Sequence, residues 1–444
     1  MKTQCDPGYG LPHEPSYWAA TGYKGSSPSG EVEGDIDCDV AIIGAGYTGL
    51  STAYHLAKLH GVRAHVLEAN RIGWGCSGRN GGFAMIGIGK DSYEGWIRKY
   101  GVQGARHLFD YARDAVRSVK TMLAENDIDA ASPHEGYLYL AHKPNRFNEL
   151  KKTQNLLKDK FGFDTWLLSR EEVRTQYLNS REYHGALFHP EHISLHPMKY
   201  VQGLARAARQ YGAQVHERTP VQGWERIGAL HKLHTPKGSI KTRRVVIATG
   251  GYTPDYLHPA VSNKLLNVLS NVIVTEPVSE EKLQQCGWKT HQMLVDTRML
   301  RFYFRLLEDK RVLFGARGGI VDDARSNMKT KAWLLKRLSD FFPALEGVRC
   351  DYFWRGHVDI ARDKYLHLGD AEGGSVHYAL GYAGTGVAAS TYSGKQIADR
   401  LMGKSALANI PKLSTPLPRF EIPSLRRLAQ RAAYGYYTIK DEWF

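Results

Sequence analysis

The feature that most constrains this chain is a continuous run near its start. CDVAIIG, residues 38 to 44, is a short apolar, β-branched stretch that opens without a break into GAGYTG. Gly44, Gly46 and Gly49 form G-x-G-x-x-G, and Leu50, Ala53, Tyr54 and Ala57 then recur at helical spacing up to Gly61. RAHVLE follows and ends on Glu68, 19 residues beyond Gly49. Strand, glycine turn, helix, second strand and terminal acid are what a dinucleotide needs. The turn lets the backbone approach a pyrophosphate, the helix N-terminus faces its charge, and the carboxylate accepts from ribose hydroxyls. A buried parallel strand with flanking helices is the matching fold.

The next stretch separates two kinds of dinucleotide. An NAD domain continues into further alternating helices and strands, whereas this chain turns at once into GWGCSGRNGG, residues 73 to 82. Ser77, Arg79 and Asn80 offer donors, and the glycines around them let the backbone approach a flat ring; a linker has no need of an arginine and an asparagine there. Farther on, RTPVQGWERI and TPKGSIKTRRVVIATGG read as strand, turn, strand and a last buried strand ending on Thr249 and Gly250. VHYALGYAGTGVAASTYSGKQIADRLMG reads as a strand, a glycine cluster at Gly381, Gly384 and Gly386, and a helix whose positive end suits a reduced flavin.

A chain of 444 residues with 42% hydrophobic and 23% charged residues has room for two or three folded domains and lacks the signature of disorder. No apolar run reaches the ~20 residues of a membrane span, and the N-terminus lacks a signal-peptide core, so a cytoplasmic protein is expected. Five scattered cysteines (Cys5, Cys38, Cys76, Cys286, Cys350) without a C-x-x-C pair argue against a disulfide framework or zinc knuckle. The net charge of +14 attracts anions, yet the basic residues are spread along the chain. A solvated basic surface is favoured over a nucleic-acid site.

The fingerprint GAGYTG, the loop GWGCSGRNGG, the segment GALFHPEHISLHPMKYVQGLARAARQYGAQV, the strand VVIATGG and the ending GYAGTGVA together resemble the glycine oxidase and D-amino-acid oxidase superfamily of FAD-dependent amine oxidoreductases. The resemblance implies an α/β fold: a Rossmann-like FAD-binding domain from residues 1–90, 196–254 and 361–444, the last including the C-terminal tail. It also implies a discontinuous α+β substrate domain with an antiparallel sheet, from 91–195 and 255–360. By the same likeness Gly44, Gly46, Thr48 and Gly49 hold the pyrophosphate, and Glu68 and Ala69 lie by the ribose. Arg71, Ser77, Arg79 and Asn80 surround FAD, with Gly81 and Gly82 near the flavin. Val221 faces adenine, Thr249 and Gly250 the phosphates, and Gly381 and Gly384, Thr385, Gly386 and Val387 the flavin's pyrimidine edge.

The implied chemistry is hydride transfer from a neutral amine's α-carbon to flavin N5, hydrolysis of the imine to an aldehyde, and reoxidation by O2 giving H2O2. Oxidase and dehydrogenase both stay open. The expected substrate is a polyamine or its γ-glutamyl conjugate, with an N-methyl or D-amino acid as alternative and an RNA-modifying flavoprotein as an alternative of another class. RFYFRLL (301–307) and RVLFGARGG (311–319) read as paired strands, and DSYEGWIRKYGVQGARHLFDYARDAVRSVKTMLAEN as helix. Tyr303, Arg305 and Trp354 are the candidate substrate residues, with Arg317 and Arg355 beside them. HPEHISLHP (His189, Glu191, His192, His196) matches no standard metal motif, so no metal is expected there. Cys76 is expected to be a packed thiol, and the basic amphipathic LRRLAQRAAYGYY to dock on its own domain. Oligomeric state is not legible.

Overall fold

The apolar run at 38–44 becomes the centre of a sheet. In the computed structural model, which describes residues 7–24, 30–132, 134–404, 407 and 410–443, strand Gly34–Ile43 pairs in parallel with both Gly238–Ile247 and His65–Leu67. Val40 to Ile43 are all buried, as befits a strand covered on both faces. The sheet runs His367–Ala371, Val376–Leu380, Gly238–Ile247, Gly34–Ile43, His65–Leu67, Gln214–His216, with Leu230–Thr235 and Gly223–Ile227 added beside Gly238–Ile247. Cys5 lies outside the described residues; the other four cysteines are free thiols.

At Gly44 the chain takes φ +106°, and its amide donates to Leu67 O at 2.8 Å, closing the turn. A Cβ there would meet Ala248 O at 2.7 Å, so only glycine allows the two strand ends to lie this close. Helix Tyr47–His60 follows and stops at Gly61 in the left-handed region. Tyr47 to Ala57 are buried without a break, because helix Gly386–Leu401 and helix Pro197–Gln210 cover this helix from two sides.

The second sheet has the order Cys350–Ala361, Leu265–Thr275, Val312–Arg317, Phe302–Leu306, Met293–Asp296, Tyr137–Leu140, Gly185–His189, Trp166–Ser169. All neighbours are antiparallel except Met293–Asp296 with Tyr137–Leu140. The two strands expected at 301–319 pair as anticipated, Tyr303 opposite Gly315. Alternation sends Phe302, Phe304 and Phe314 into a core with Phe341 of helix Ala324–Phe341, and Tyr303 and Arg305 to the other face.

Two expectations change in detail. The strand expected over RTPVQGWERI is confined to Gly223–Ile227, and Thr219 to Gln222 run as coil. Helix Tyr93–Glu125 breaks at Gly101, which adopts φ 68° and ψ 173°, and it packs on helix Gly386–Leu401 through Tyr111, whose ring meets Tyr392 at 4.9 Å. No described helix is long and apolar enough to cross a membrane.

Candidate functional site: a cavity between the two sheets

The carboxyl end of the first sheet and one face of the second enclose a cavity of about 560 Å³, within the usual ~300–1,000 Å³ of ligand sites. Gly44, Gly46 and Thr48 line it from the turn and helix Tyr47–His60, Glu68 and Ala69 from the end of strand His65–Leu67, and Val221 from the coil beside it. Thr249 and Gly250 reach it from the returning strand, and Gly384, Thr385, Gly386 and Val387 from the start of helix Gly386–Leu401. Positions scattered over more than 340 residues thus meet on one surface. Gly46 and Gly81 keep it open: a Cβ at the first would meet Ser77 Oγ at 2.9 Å, and one at the second would meet the Tyr303 ring at 3.1 Å.

Ser77, Arg79, Asn80 and Gly81 also line the cavity, but the side chains in this loop chiefly hold one another. Ser77 Oγ accepts from Tyr47 N at 2.9 Å and so caps helix Tyr47–His60. Asn80 Nδ2 donates to Tyr47 Oη, Cys76 O and Ser77 O, while its Oδ1 accepts from Gly82 N at 2.8 Å. Arg79 Nε donates to Trp74 O at 2.6 Å, and the guanidinium lies 4.3 Å from the Trp74 ring. These hydrogen bonds fix the loop's shape, while Arg79 Nη2 is left without a hydrogen-bond partner among the described residues. Cys76 is a packed thiol whose Sγ donates to His357 O, and burial pushes it up to about 12.

Other expected residues stand behind the lining. Gly49 packs against the Gly44 carbonyl, and Gly82 against Leu195 O. Gly381 donates its N–H to the Asp359 carboxylate at 2.6 Å, and Arg71 is exposed. Of the substrate candidates, Tyr303 and Arg317 line the cavity. Arg305 and Trp354 do not: Arg305 donates to Leu195 O at 2.8 Å and lies 5.4 Å from the Trp18 ring, and Trp354 Nε1 donates to Arg79 O at 2.8 Å. Arg355 is likewise turned away, bonded to Asn271 Oδ1, Val321 O and Thr330 Oγ1. These three are braces in the wall.

The wall also holds residues that sequence reasoning missed. Lys90, Arg301, Met299 and Ser270 line the cavity, and Tyr303 Oη shares a 2.9 Å hydrogen bond with Ser270 Oγ. Arg301 donates to Tyr139 Oη at 3.1 Å and Arg317 to Ala383 O at 2.7 Å, whereas Lys90 Nζ has no hydrogen-bond partner among the described residues. Burial, then the nearby Arg317 and Arg301, hold its ammonium well below the usual lysine range. The two carboxylates of the lining are both engaged by backbone N–H groups: Glu68 by Ala45 and Asn70, Asp359 by Gly381 and Tyr382. His189 and His192 are buried and stacked on each other, and neither belongs to a three-ligand cluster among the described residues.

The pattern of a family described as "FAD dependent oxidoreductase" matches residues 39–400. The chain is 30% identical over 433 residues to gamma-glutamylputrescine oxidoreductase of Escherichia coli, covering 97% of this chain and 98% of that one. It is 29% identical over 414 residues to a probable oxidoreductase OrdL of Haemophilus influenzae, covering 91% and 92%. Among solved structures, glycine oxidase from Geobacillus kaustophilus superposes with a TM-score of 0.69 at 22% identity, over 87% of this chain and 99% of that one.

Proposed function

Because the chain belongs to the FAD dependent oxidoreductase family, with FAD as its cofactor, we propose that it oxidises a small amine whose far end carries a carboxylate, of the γ-glutamyl-polyamine kind. The observation that carries this reading is the trio Lys90, Arg301 and Arg317 on one cavity wall, where every carboxylate of the lining is already engaged by backbone. An unconjugated polyamine would find cations there and no free acid. The first sheet serves as the FAD-binding unit and the second as the substrate roof.

The open glycine cradle fits FAD: the turn at Gly44 and Gly46 takes the pyrophosphate, Glu68 the ribose, and Gly384 to Val387 the flavin edge. When bound, FAD supplies the two-electron acceptor for oxidation of the amine. The chain's own groups do the rest. Arg301, Arg317 and the low-polarity wall, which already disfavour the Lys90 ammonium, disfavour a further one, so the substrate's reacting nitrogen is held neutral, the form that can be oxidised. Burial pushes the Tyr303 hydroxyl up to about 12; it stays protonated near neutral pH and orients the substrate together with Ser270 instead of taking a proton from it. The N-terminus of helix Gly386–Leu401, opening on the cavity at Gly386 and Val387, places the positive end of its dipole where negative charge develops. Water hydrolyses the product imine of a primary amine to an aldehyde and ammonia.

The test is an anaerobic titration of the flavin absorbance with γ-glutamylputrescine, putrescine, spermidine, sarcosine and a D-amino acid in turn. Bleaching by γ-glutamylputrescine, with a KM raised about tenfold or more in Lys90→Met, is the expected result. Reduction by sarcosine with release of formaldehyde, or by a D-amino acid, in place of γ-glutamylputrescine overturns the substrate class. Admitting air then distinguishes an oxidase, which returns to the oxidised spectrum and forms peroxide, from a dehydrogenase.

A further inference from the structure

The parallel pairing of Met293–Asp296 with Tyr137–Leu140, Met293 opposite Tyr137, brings the segments that precede these strands side by side. His134 lies on one and His291 on the other, and their rings stack at 4.7 Å with 15° between planes. Gln292 Nε2 locks the two segments together by donating to Glu135 O at 2.8 Å. Strand Phe302–Leu306, antiparallel on the far side of Met293–Asp296, ends in the turn Leu307–Lys310, closed by Lys310 N donating to Leu307 O at 3.0 Å. That turn presents Glu308, whose carboxylate stands 4.0 Å from His291 Nδ1. The metal-binding atoms of His134, His291 and Glu308 all lie within 4.8 Å of one another, and none of the three residues lines the cavity.

We infer that His134, His291 and Glu308 form a binding site for a divalent transition ion, zinc in the first place. Two imidazoles and one carboxylate are a donor set that zinc accepts, with water as the fourth ligand. Bonds of 2.0–2.1 Å in a tetrahedron need ligand atoms about 3.4 Å apart. His134 and Glu308 are exposed, so their side chains close that gap by rotation without moving core atoms. His291 Nδ1 is buried and makes no hydrogen bond, a cost that a metal ion removes. The ion ties the segment before Tyr137–Leu140 to two others, one leading into the strand that carries Val295 of the cavity wall and one leaving the strand that carries Tyr303. It acts as a surface clamp on that wall and takes no part in the oxidation. Because the imidazoles bind in their neutral form, affinity weakens on acidification.

The experiment uses tag-free, FAD-loaded enzyme treated with a chelator and then titrated with Zn2+ in a calorimeter, with Co2+ absorption as a second readout of coordination. One saturable site is expected, with a Zn2+-dependent rise in melting temperature. Binding at that site should weaken about 10–100-fold in His134→Ala and in Glu308→Gln, both surface changes that leave the fold intact. Absence of a saturable site, or one whose affinity is unchanged in His134→Ala and Glu308→Gln, overturns the inference. Neither result bears on which amine the enzyme oxidises.

Discussion

Glu68 shows how one residue both ties the turn and lines the cavity. Its Oε2 accepts from Ala45 N at 2.8 Å and its Oε1 from Asn70 N at 3.0 Å, tying the glycine turn to the end of the second strand. Burial raises its carboxyl to about 7, against the pull of those two N–H groups. A folded-state value above the unfolded one favours the protonated form in the fold. The stability it contributes is therefore complete below about pH 4.5 and is lost as pH rises through about 7. A ribose acceptor works best ionised, so FAD affinity of the stripped protein should rise with pH through about 7. Glu68→Gln should flatten that profile and weaken binding about 10- to 100-fold at pH 8. Flavin-fluorescence titrations between pH 5.5 and 8.5 check this; an unchanged slope in the variant removes Glu68 from the ribose. The spacing from Gly49 makes such a residue legible in the sequence. Lys90 and Arg301 are harder to find because they sit in coil, where no period applies; the only hint is that Lys90 ends the glycine-alternating run IGIGK.

The elements were legible in kind, and the paired strands at 301–319 also in partnership, because period-2 alternation reports which residues share a face. It does not report where along that face a cavity ends. Tyr303 and Arg305 are on the same side of one strand, yet only the first lines the cavity. Gly315 opposite Tyr303 leaves the space its ring crosses, a fit that requires the partner strand. The C-terminal helix Arg426–Trp443, expected to dock on the FAD-binding domain that includes the tail, is tied instead to residues 255–300 of the other unit, through polar ends more than its apolar face. Arg426 donates to Leu265 O and Asp255, Arg427 donates to Asn267 O, and Asp441 accepts from Met299 N at 2.7 Å and Leu300 N at 2.9 Å. Leu428, Tyr436, Ile439 and Trp443 stay exposed. Asp441 thus holds the loop that carries Met299 and Arg301 into the cavity wall. Asp441→Ala leaves two backbone N–H groups without their acceptor, a loss of about 1–3 kcal/mol. Steady-state kinetics should show a several-fold rise in KM for the amine, with kcat less affected and the melting temperature lowered by a few degrees. An unchanged KM would mean that the loop keeps its place without the helix.

At the scale of the whole molecule, the cavity is the seam between two sheets, so whatever fills it joins them. FAD that binds only the folded chain stabilises it by about 2.7 kcal/mol at a free concentration 100 times its Kd. The melting temperature of stripped protein should climb by a few degrees as FAD is added and level off only slowly; a flat curve would mean that the cofactor makes no net bond across the seam. The sheet that carries the glycine turn has a further consequence, one that concerns the order of synthesis. Strand Gly34–Ile43 leaves the ribosome well before Gly238–Ile247, in which Gly238 pairs with Gly34, and Val376–Leu380, on the far side of Gly238–Ile247, comes later still. At about 5–20 residues per second the first strand waits roughly 10–40 s for its partner. Throughout that interval Ala41, Ile42 and Ile43 can have only His65–Leu67 beside them, and the apolar edge that Gly238–Ile247 later covers stands open. That edge therefore needs shielding until Gly238–Ile247 has been made, and the cavity closes only once residues 384–387 have followed.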